Sequence, residues 1–199
     1  MRVSEKGRLV YVNPPRTGST KVNQLMKITW DDVWQPPECA GHHTIWKAEW
    51  DDFFSFHTVR SPFTRAVSLW RRAVEALHCR NEDWLRYLDN GKISFKDFLY
   101  HEADEIKAWW GWCPCSQFDG PVPRVDLVVH QENLTEELRG VPGLRSSPNR
   151  LMDSQLKTPW HKHYDEQCIE KVLEIFAVDF ERYGYNSDIE QAKKGKLFV

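Results

Sequence analysis

The sequence predicts an α/β fold in which a parallel β-sheet is flanked by helices. Three apolar runs, at residues 9–12, 53–59 and 125–130, are each followed by a polar loop and a segment with helical spacing of apolar residues. Strands that alternate with helices favour a parallel sheet, because parallel neighbours need a long crossover. The chain has 199 residues, 41% of them apolar, and we expect one domain over residues 1–190 and a flexible tail over 191–199.

The first strand and helix enclose a turn with the properties of an anion site. The apolar run 9–12 ends at an Asn-Pro-Pro sequence, and residues 21–29 carry apolar side chains at helical spacing. The intervening turn, 15–20 (PRTGST), adds one guanidinium and several hydroxyls to the N–H groups at a helix N-terminus. We therefore expect an anionic group such as phosphate at this turn.

This turn lacks two features of a nucleoside triphosphate kinase. The Gly-x-x-x-x-Gly-Lys-Ser/Thr pattern of a Walker A loop is absent, since no glycine precedes Gly18 within reach. Asp126 opens its predicted strand, whereas a Walker B carboxylate closes one. Magnesium-dependent kinase chemistry is therefore disfavoured, although an ATP-dependent kinase stays an alternative.

The second predicted strand leads into a basic segment. A loop at residues 60–62 follows it, and a helix over 63–78 begins beside a proline, which the first helical position tolerates. Apolar residues at helical spacing predict one packed face of this helix. The residues expected on the opposite, basic face are Arg65, Ser68, Arg71 and Arg72. For Arg71 and Arg72 we expect exposure to solvent.

The remaining predicted elements are a third strand and a C-terminal helix. The third strand, 125–130, leads to a turn and a short helix near 134–139, and Glu132 between them is expected to order the loops. Asp165 can cap a final helix whose single apolar stripe continues to Tyr183.

Charge and hydropathy limit the class of ligand. The chain carries 27 basic and 29 acidic side chains, a formal net charge of −2, so an anion site must be local and nucleic acid is not expected as a partner. No apolar run approaches the roughly 20 residues that cross a bilayer. We therefore expect a soluble, cytoplasmic chain with no membrane partner.

The five cysteines do not indicate a disulfide framework or a zinc site. Their number is odd and they lack the two-residue spacing of zinc ribbons, so we expect mostly reduced thiols and no metal. A metal or redox site is the alternative for Cys113 and Cys115, which are separated by a single residue and follow a cluster of tryptophans.

Two motifs taken together resemble those of a known enzyme family. Residues 15–20 look like the 5′-phosphosulfate loop of sulfotransferases that use 3′-phosphoadenosine 5′-phosphosulfate (PAPS). Residues 59–68 (VRSPFTRAVS) look like the 3′-phosphate motif of the same enzymes, with complete Arg-x-Pro-x-x-Arg-x-x-Ser spacing. Further similarity over residues 50–54, 125–128, 131–134 and 179–185 is to the carbohydrate branch, which includes the heparan and chondroitin enzymes. The resemblance implies a fold similar to that of the P-loop kinases.

The resemblance also implies which residues bind the donor. The 5′-phosphosulfate group is expected at Arg16, Thr17, Gly18, Ser19 and Thr20, and the 3′-phosphate is expected at Arg60 and Ser68. A planar guanidinium suits phosphate oxygens because it donates two parallel hydrogen bonds. Arg65 could contact the donor or brace the loop.

Arg16 departs from the family pattern, which often has lysine at this position. A guanidinium keeps its proton at neutral pH, so it cannot act as a general acid. We therefore expect Arg16 to assist the departing product, 3′-phosphoadenosine 5′-phosphate (PAP), by its positive charge.

Transfer to a hydroxyl also requires a base that accepts the proton of the acceptor. The resemblance implies His43, which lies in a His-x-x-Trp arrangement, and a neutral imidazole suits this role near pH 7. His42 and Glu49 are the alternatives.

The resemblance favours a carbohydrate acceptor, although a protein tyrosine or a small alcohol stays open. Trp109, Trp110 and Trp112 are candidates to line the acceptor cleft. The segment that contains His161 and His163 is a candidate to close over donor or acceptor. A non-catalytic module that binds a nucleotide or a glycan is the remaining alternative.

Overall fold

A computed structural model describes residues 1–37, 46–77, 93–102, 125–144 and 159–199 of the chain. These residues belong to two compact units. The first unit comprises residues 1–37, 46–60 and 125–144, and the second comprises 61–77, 93–102 and 159–199.

A four-stranded sheet lies in the first unit. Its strands are β1 (Arg2–Ser4), β2 (Leu9–Val12), β3 (Phe54–Val59) and β4 (Leu127–His130), in the order β1-β2-β3-β4. Strands β2, β3 and β4 are parallel, and β1 pairs antiparallel with β2. The predicted α/β fold and the three predicted strands are thus confirmed. Strand β1 was not predicted, because three residues at a sheet edge are too short to show an alternating pattern.

The α-helices of the described residues alternate with and follow these strands along the chain. They are α1 (Ser19–Thr29), α2 (Pro62–Leu77), α3 (Phe95–Asp97), α4 (Leu134–Glu137), α5 (Glu166–Ile175), α6 (Ala177–Tyr183) and α7 (Ile189–Lys193). No helix in the described ranges is both long and apolar enough to span a membrane.

The core of the first unit is built from alternate strand residues and one face of α1. Tyr11 of β2 and Phe56 of β3 stack with ring centroids 4.7 Å apart. Helix α1 covers them because Val22, Leu25 and Met26 recur at helical spacing and are all buried. This packing holds the N-terminal end of α1 next to the point where β2 ends.

The C-terminal helix differs from its prediction. Asp165 caps α5 as expected, since its Oδ1 accepts a hydrogen bond from the Cys168 N–H at 2.7 Å. A single helix up to Tyr183 is wrong, because the backbone of Phe176 (φ −109°, ψ 19°) leaves the helical region between α5 and α6. The interruption brings both the Phe176 ring and the Asp179 carboxylate to Arg65 of α2.

The predicted basic face of α2 is also wrong in part. Arg65 is completely buried and Ser68 is 4% exposed, whereas Arg72 is exposed. Arg65 is buried because the carboxylate of Asp179 compensates its charge, with Nη1 and Oδ2 3.6 Å apart. The helical spacing of α2 could not reveal this partner, which lies in α6.

The end of the chain contacts the turn that follows α6. The N–H of Asn186 donates to the carbonyl of Leu197 at 2.8 Å, and the N–H of Val199 donates to that of Gly184 at 3.0 Å. The rings of Tyr185 and Phe198 stack at 5.2 Å. These contacts involve the segment 191–199, for which the sequence predicts a flexible tail.

Candidate active site

The turn between β2 and α1 has an unusual backbone. Arg16 has a φ of +65° and Gly18 a φ of +91°, so two residues of this short turn adopt left-handed conformations. Glycine adopts that region at little cost, and a residue with a Cβ does not. A Cβ at Gly18 would also lie 3.2 Å from Cγ of Gln131. Both the backbone conformation and the space at position 18 therefore favour glycine.

The N-terminus of α1 is suited to a negative group. Gly18 is the N-cap and supplies no capping side chain, and the first turn contains no acidic residue. The first N–H groups of a helix lack carbonyl partners one turn earlier, and the helix dipole makes this end positive. Backbone N–H groups around Ser19 and Thr20 are therefore the donors that this turn can offer to an anion.

The side chain of Thr17 points into the protein. Its Oγ1 donates to the carbonyl of Pro14 at 2.9 Å and lies 2.8 Å from Oγ1 of Thr58. The hydroxyl of Tyr11 lies 2.7 Å from the same Thr58 oxygen, and Tyr11, Thr17 and Thr58 are all fully buried. Burial raises the pKa of the Tyr11 hydroxyl, which is therefore neutral.

Arg60 joins the second motif to the first. It directly follows β3, and its Nη1 donates to the backbone carbonyl of Arg16 at 3.4 Å. Strands β2 and β3 are parallel, with Val12 opposite His57, so the loops that follow them lie at one edge of the sheet. This is the edge at which open α/β sheets bind ligands.

The segment after β4 completes the same edge. Gln131 begins the short turn Gln131–Asn133, and its side chain lies beside Gly18. Glu137 of α4 orders this segment, because its Oε2 accepts from the N–H of His130 at 2.6 Å and its Oε1 accepts from Asn133 Nδ2 at 3.2 Å. The ordering role expected of Glu132 stays a prediction, whereas that of Glu137, four residues after Asn133 at helical spacing, was not predicted.

Asp126 has a structural role at the opposite end of β4. Its Oδ2 accepts from both the N–H and the hydroxyl of Ser55, at 2.7 and 2.9 Å. It thereby fixes the start of the β3–β4 pair. The expectation that this carboxylate opens its strand is confirmed, since β4 begins at Leu127.

In the second unit, His163 of the turn Trp160–His163 contacts α2. Its Nε2 lies 3.3 Å from Nη2 of Arg71, and the ring of Trp70 lies 4.9 Å away between centroids. A guanidinium only donates, so Nε2 is the acceptor and Nδ1 carries the proton. Burial, and secondly the charge of Arg71, lower the pKa of His163. Arg71 itself is partly buried, whereas the sequence led us to expect an exposed side chain.

The sequence matches the family model described as "Sulfotransferase family" over residues 1–186. The chain belongs to the sulfotransferase family. Members of this family transfer a sulfuryl group and generally use PAPS as donor. No curated protein and no solved structure matches the sequence significantly.

The described residues of this sulfotransferase fit an anionic donor at the β2–α1 turn. The turn has a positive helix end, a glycine position that a Cβ would fill, and the cations of Arg16 and Arg60 at one sheet edge. Within the described residues, no group of three or more His, Cys, Asp or Glu side chains has the arrangement of a metal site.

Several predicted residues of the sulfotransferase lie outside the described residues. They are His42, His43, Trp109, Trp110, Trp112, Cys113 and Cys115. Glu49, the carboxylate alternative to His43, is exposed in the turn Ala48–Trp50. Trp160, in the segment expected to close over a ligand, stacks on Phe63 of α2 with centroids 5.9 Å apart.

Proposed function

We propose that this sulfotransferase transfers the sulfuryl group of PAPS to a hydroxyl of a carbohydrate. The observation that carries the proposal is the 3.4 Å hydrogen bond from Arg60 to the carbonyl of Arg16. It joins the two loops that the sequence motifs assign to the two phosphorylated ends of one donor. Two such loops suit a nucleotide that carries phosphate on both its 3′ and 5′ positions, because guanidinium groups form strong charge-assisted hydrogen bonds with phosphate oxygens.

The 5′ end of the donor binds at the β2–α1 turn. Backbone N–H groups of Gly18, Ser19 and Thr20 donate to its oxygens, and the dipole of α1 stabilises its charge. The Arg16 guanidinium stabilises the negative charge that develops on the departing phosphate. PAPS, when bound, supplies the activated sulfuryl group.

The 3′-phosphate binds at Arg60 and Ser68, on the basis of the complete motif spacing. Arg60 stands at the end of β3, where its guanidinium can donate two parallel bonds to phosphate oxygens. Arg65 belongs to the same motif but braces α2, because its charge is compensated by Asp179. The buried ion pair supports a bracing role for Arg65 over contact with the donor.

His43 accepts the proton of the acceptor hydroxyl as sulfur–oxygen bond formation proceeds. A neutral imidazole has suitable basicity near pH 7, and positioned bases contribute about 10²- to 10⁴-fold in rate. His42 and Glu49 are the alternative bases.

Transfer of labelled sulfate from PAPS to a panel of glycans tests the proposal. We expect transfer by the wild-type chain, a loss of about 10²-fold or more for His43→Ala, and retention of activity by the matched His42→Ala control. Turnover of ATP with magnesium in place of PAPS would support a kinase instead. Binding of PAP without transfer to any acceptor would support a non-catalytic module.

A further inference from the structure

The buried hydroxyls of Tyr11, Thr58 and Thr17 form a hydrogen-bond chain with a single possible direction. The chain ends at the carbonyl of Pro14, which can only accept, so the one hydroxyl proton of Thr17 lies on that bond. Thr17 must then accept from Thr58 across 2.8 Å. The proton of Thr58 is thereby committed, so Tyr11 donates to Thr58 across 2.7 Å. The order is Tyr11 to Thr58 to Thr17 to Pro14.

We propose that Tyr11 and Thr58 are positioning residues for the donor-binding turn and that the Thr17 hydroxyl makes no contact with the donor. The inference rests on the proposed function for the identity of the donor. It assigns a role to two residues outside both sequence motifs. Thr17 then offers the donor only its backbone N–H.

The chain ties the turn to two neighbouring strands. Tyr11 belongs to β2 and Thr58 belongs to β3, and the register of these strands pairs Tyr11 with Phe56. Thr58 is two residues beyond Phe56, so both side chains emerge on the same face of the sheet. Thr17 is therefore bonded to the sheet through Thr58 as well as to Pro14 of its own loop.

This attachment explains how Arg16 keeps its backbone conformation. A non-glycine residue with a φ of +65° is held by its surroundings, since that conformation is intrinsically unfavourable. Arg16 lies between Pro14 and Thr17 in the sequence, so the hydrogen bond from Thr17 to Pro14 closes the short turn that contains it. If the hydrogen bond from Thr58 to Thr17 is lost, the restraint on Arg16 and on the N–H groups that follow it weakens.

The direction of the chain predicts unequal effects of isosteric substitutions. Thr58→Val leaves the Tyr11 hydroxyl buried without an acceptor and removes the donor to Thr17. Tyr11→Phe removes only a donor to Thr58. In the Thr58→Val background, Tyr11→Phe removes the buried orphan hydroxyl, so it should no longer destabilise the protein.

A double-mutant cycle combined with PAP binding tests the proposal on the full chain. We measure urea unfolding and calorimetric affinity for PAP of the wild type, the two single variants and the double variant. We expect the unfolding constant of the double variant to be at least about fivefold smaller than independent effects predict. We expect Thr58→Val to bind PAP about tenfold more weakly.

Two controls separate positioning from general loss of stability. Thr58→Ser keeps the hydroxyl and should restore PAP affinity to within about twofold of the wild type. Thr29→Val removes a threonine hydroxyl at the far end of α1, where it donates to the carbonyl of Leu25 at 2.9 Å. This variant should bind PAP like the wild type. If Thr58→Val does not fold, the double variant takes its place in the binding assay.

The outcomes distinguish this proposal from the proposed function. Independent effects in the cycle, with PAP still bound by the wild type, would overturn the hydrogen-bond chain and leave the function intact. A folded Thr58→Val or double variant that binds PAP like the wild type would overturn the positioning role. Failure of the wild type to bind PAP would contradict the proposed function and the donor-binding role together, while the cycle still decides the direction of the chain.

Discussion

Arg65 and Asp179 form an ion pair with no solvent exposure on either side chain, and their Nη1 and Oδ2 atoms lie 3.6 Å apart. The guanidinium also lies over the ring of Phe176, 5.5 Å from its centroid. Both partners belong to the second unit, in α2 and α6. The net stabilisation of the protein by a buried ion pair is smaller than the loss of stability when one partner is removed. The reason is that removal of one partner leaves the other charge buried and unpaired.

Substitution of one partner should therefore be more damaging than substitution of both. We expect Asp179→Leu to lower the free energy of unfolding by about 3–5 kcal/mol, since the Arg65 charge then stays buried without its carboxylate. Arg65→Met combined with Asp179→Leu should recover a large part of that loss. Urea unfolding measures each value, and a double variant as unstable as the sum of the singles would contradict the pairing.

Substitution of Gly18 should weaken donor binding as well as stability. A Cβ at this position would lie 3.2 Å from Cγ of Gln131. The backbone φ of +91° is also unfavourable for a residue that carries a Cβ. We expect Gly18→Ala to cost about 1 kcal/mol or more in unfolding free energy and to weaken PAP binding at least about tenfold.

Gly143 provides the matched control for this substitution. It has a φ of +69° in the same unit, and a Cβ there would lie 3.4 Å from Cζ2 of Trp30. Gly143→Ala should therefore lose stability through the same backbone strain but retain PAP affinity. Equal loss of PAP affinity in the two variants would show that strain, and not the anion site, governs binding.

Exchange of Arg16 for lysine should preserve activity better than removal of its charge. Both cations stabilise charge on the departing phosphate, whereas methionine has a similar length and no charge. We expect Arg16→Met to lose about 10²-fold in sulfuryl transfer and Arg16→Lys to retain most of it. Steady-state transfer rates from PAPS measure both, and equal losses would contradict an electrostatic role.

Many elements were predictable because their signals are local. The turn at 15–20, the strand before it and the amphipathic helix after it depend on neighbouring residues alone. Burial of Arg65 was not predictable, because its compensating carboxylate is far away in the sequence. The inward orientation of the Thr17 hydroxyl was hidden for the same reason, since Thr58 comes from another strand. The motif alone makes Thr17 look like a ligand.

Stability should fall in mildly acidic solution through His163. Folding lowers its pKa below the ordinary value of 6.5, chiefly by burial and secondly through Arg71. The unfolded chain therefore protonates His163 more readily than the folded chain does. The contribution of neutral His163 to the free energy of unfolding is complete above about pH 6.5 and is lost as the pH falls toward the pKa of the folded state.

Comparison with two variants isolates this effect. The decrease in urea midpoint between about pH 7.5 and about pH 5.5 should be smaller for His163→Gln than for the wild type. Arg71→Met should reduce the decrease in part, because it removes the second cause. An unchanged decrease in His163→Gln would assign the acid sensitivity to other groups.

The two loops bind opposite ends of one nucleotide in the proposed function, and calorimetry with two ligands tests this most directly. PAP carries both phosphates, whereas adenosine 5′-phosphate lacks the 3′-phosphate. We predict that Arg60→Met weakens PAP binding about ten- to hundredfold more than it weakens adenosine 5′-phosphate binding, while Arg16→Met weakens both. Equal losses for the two ligands in Arg60→Met, or no loss for either, would contradict the account.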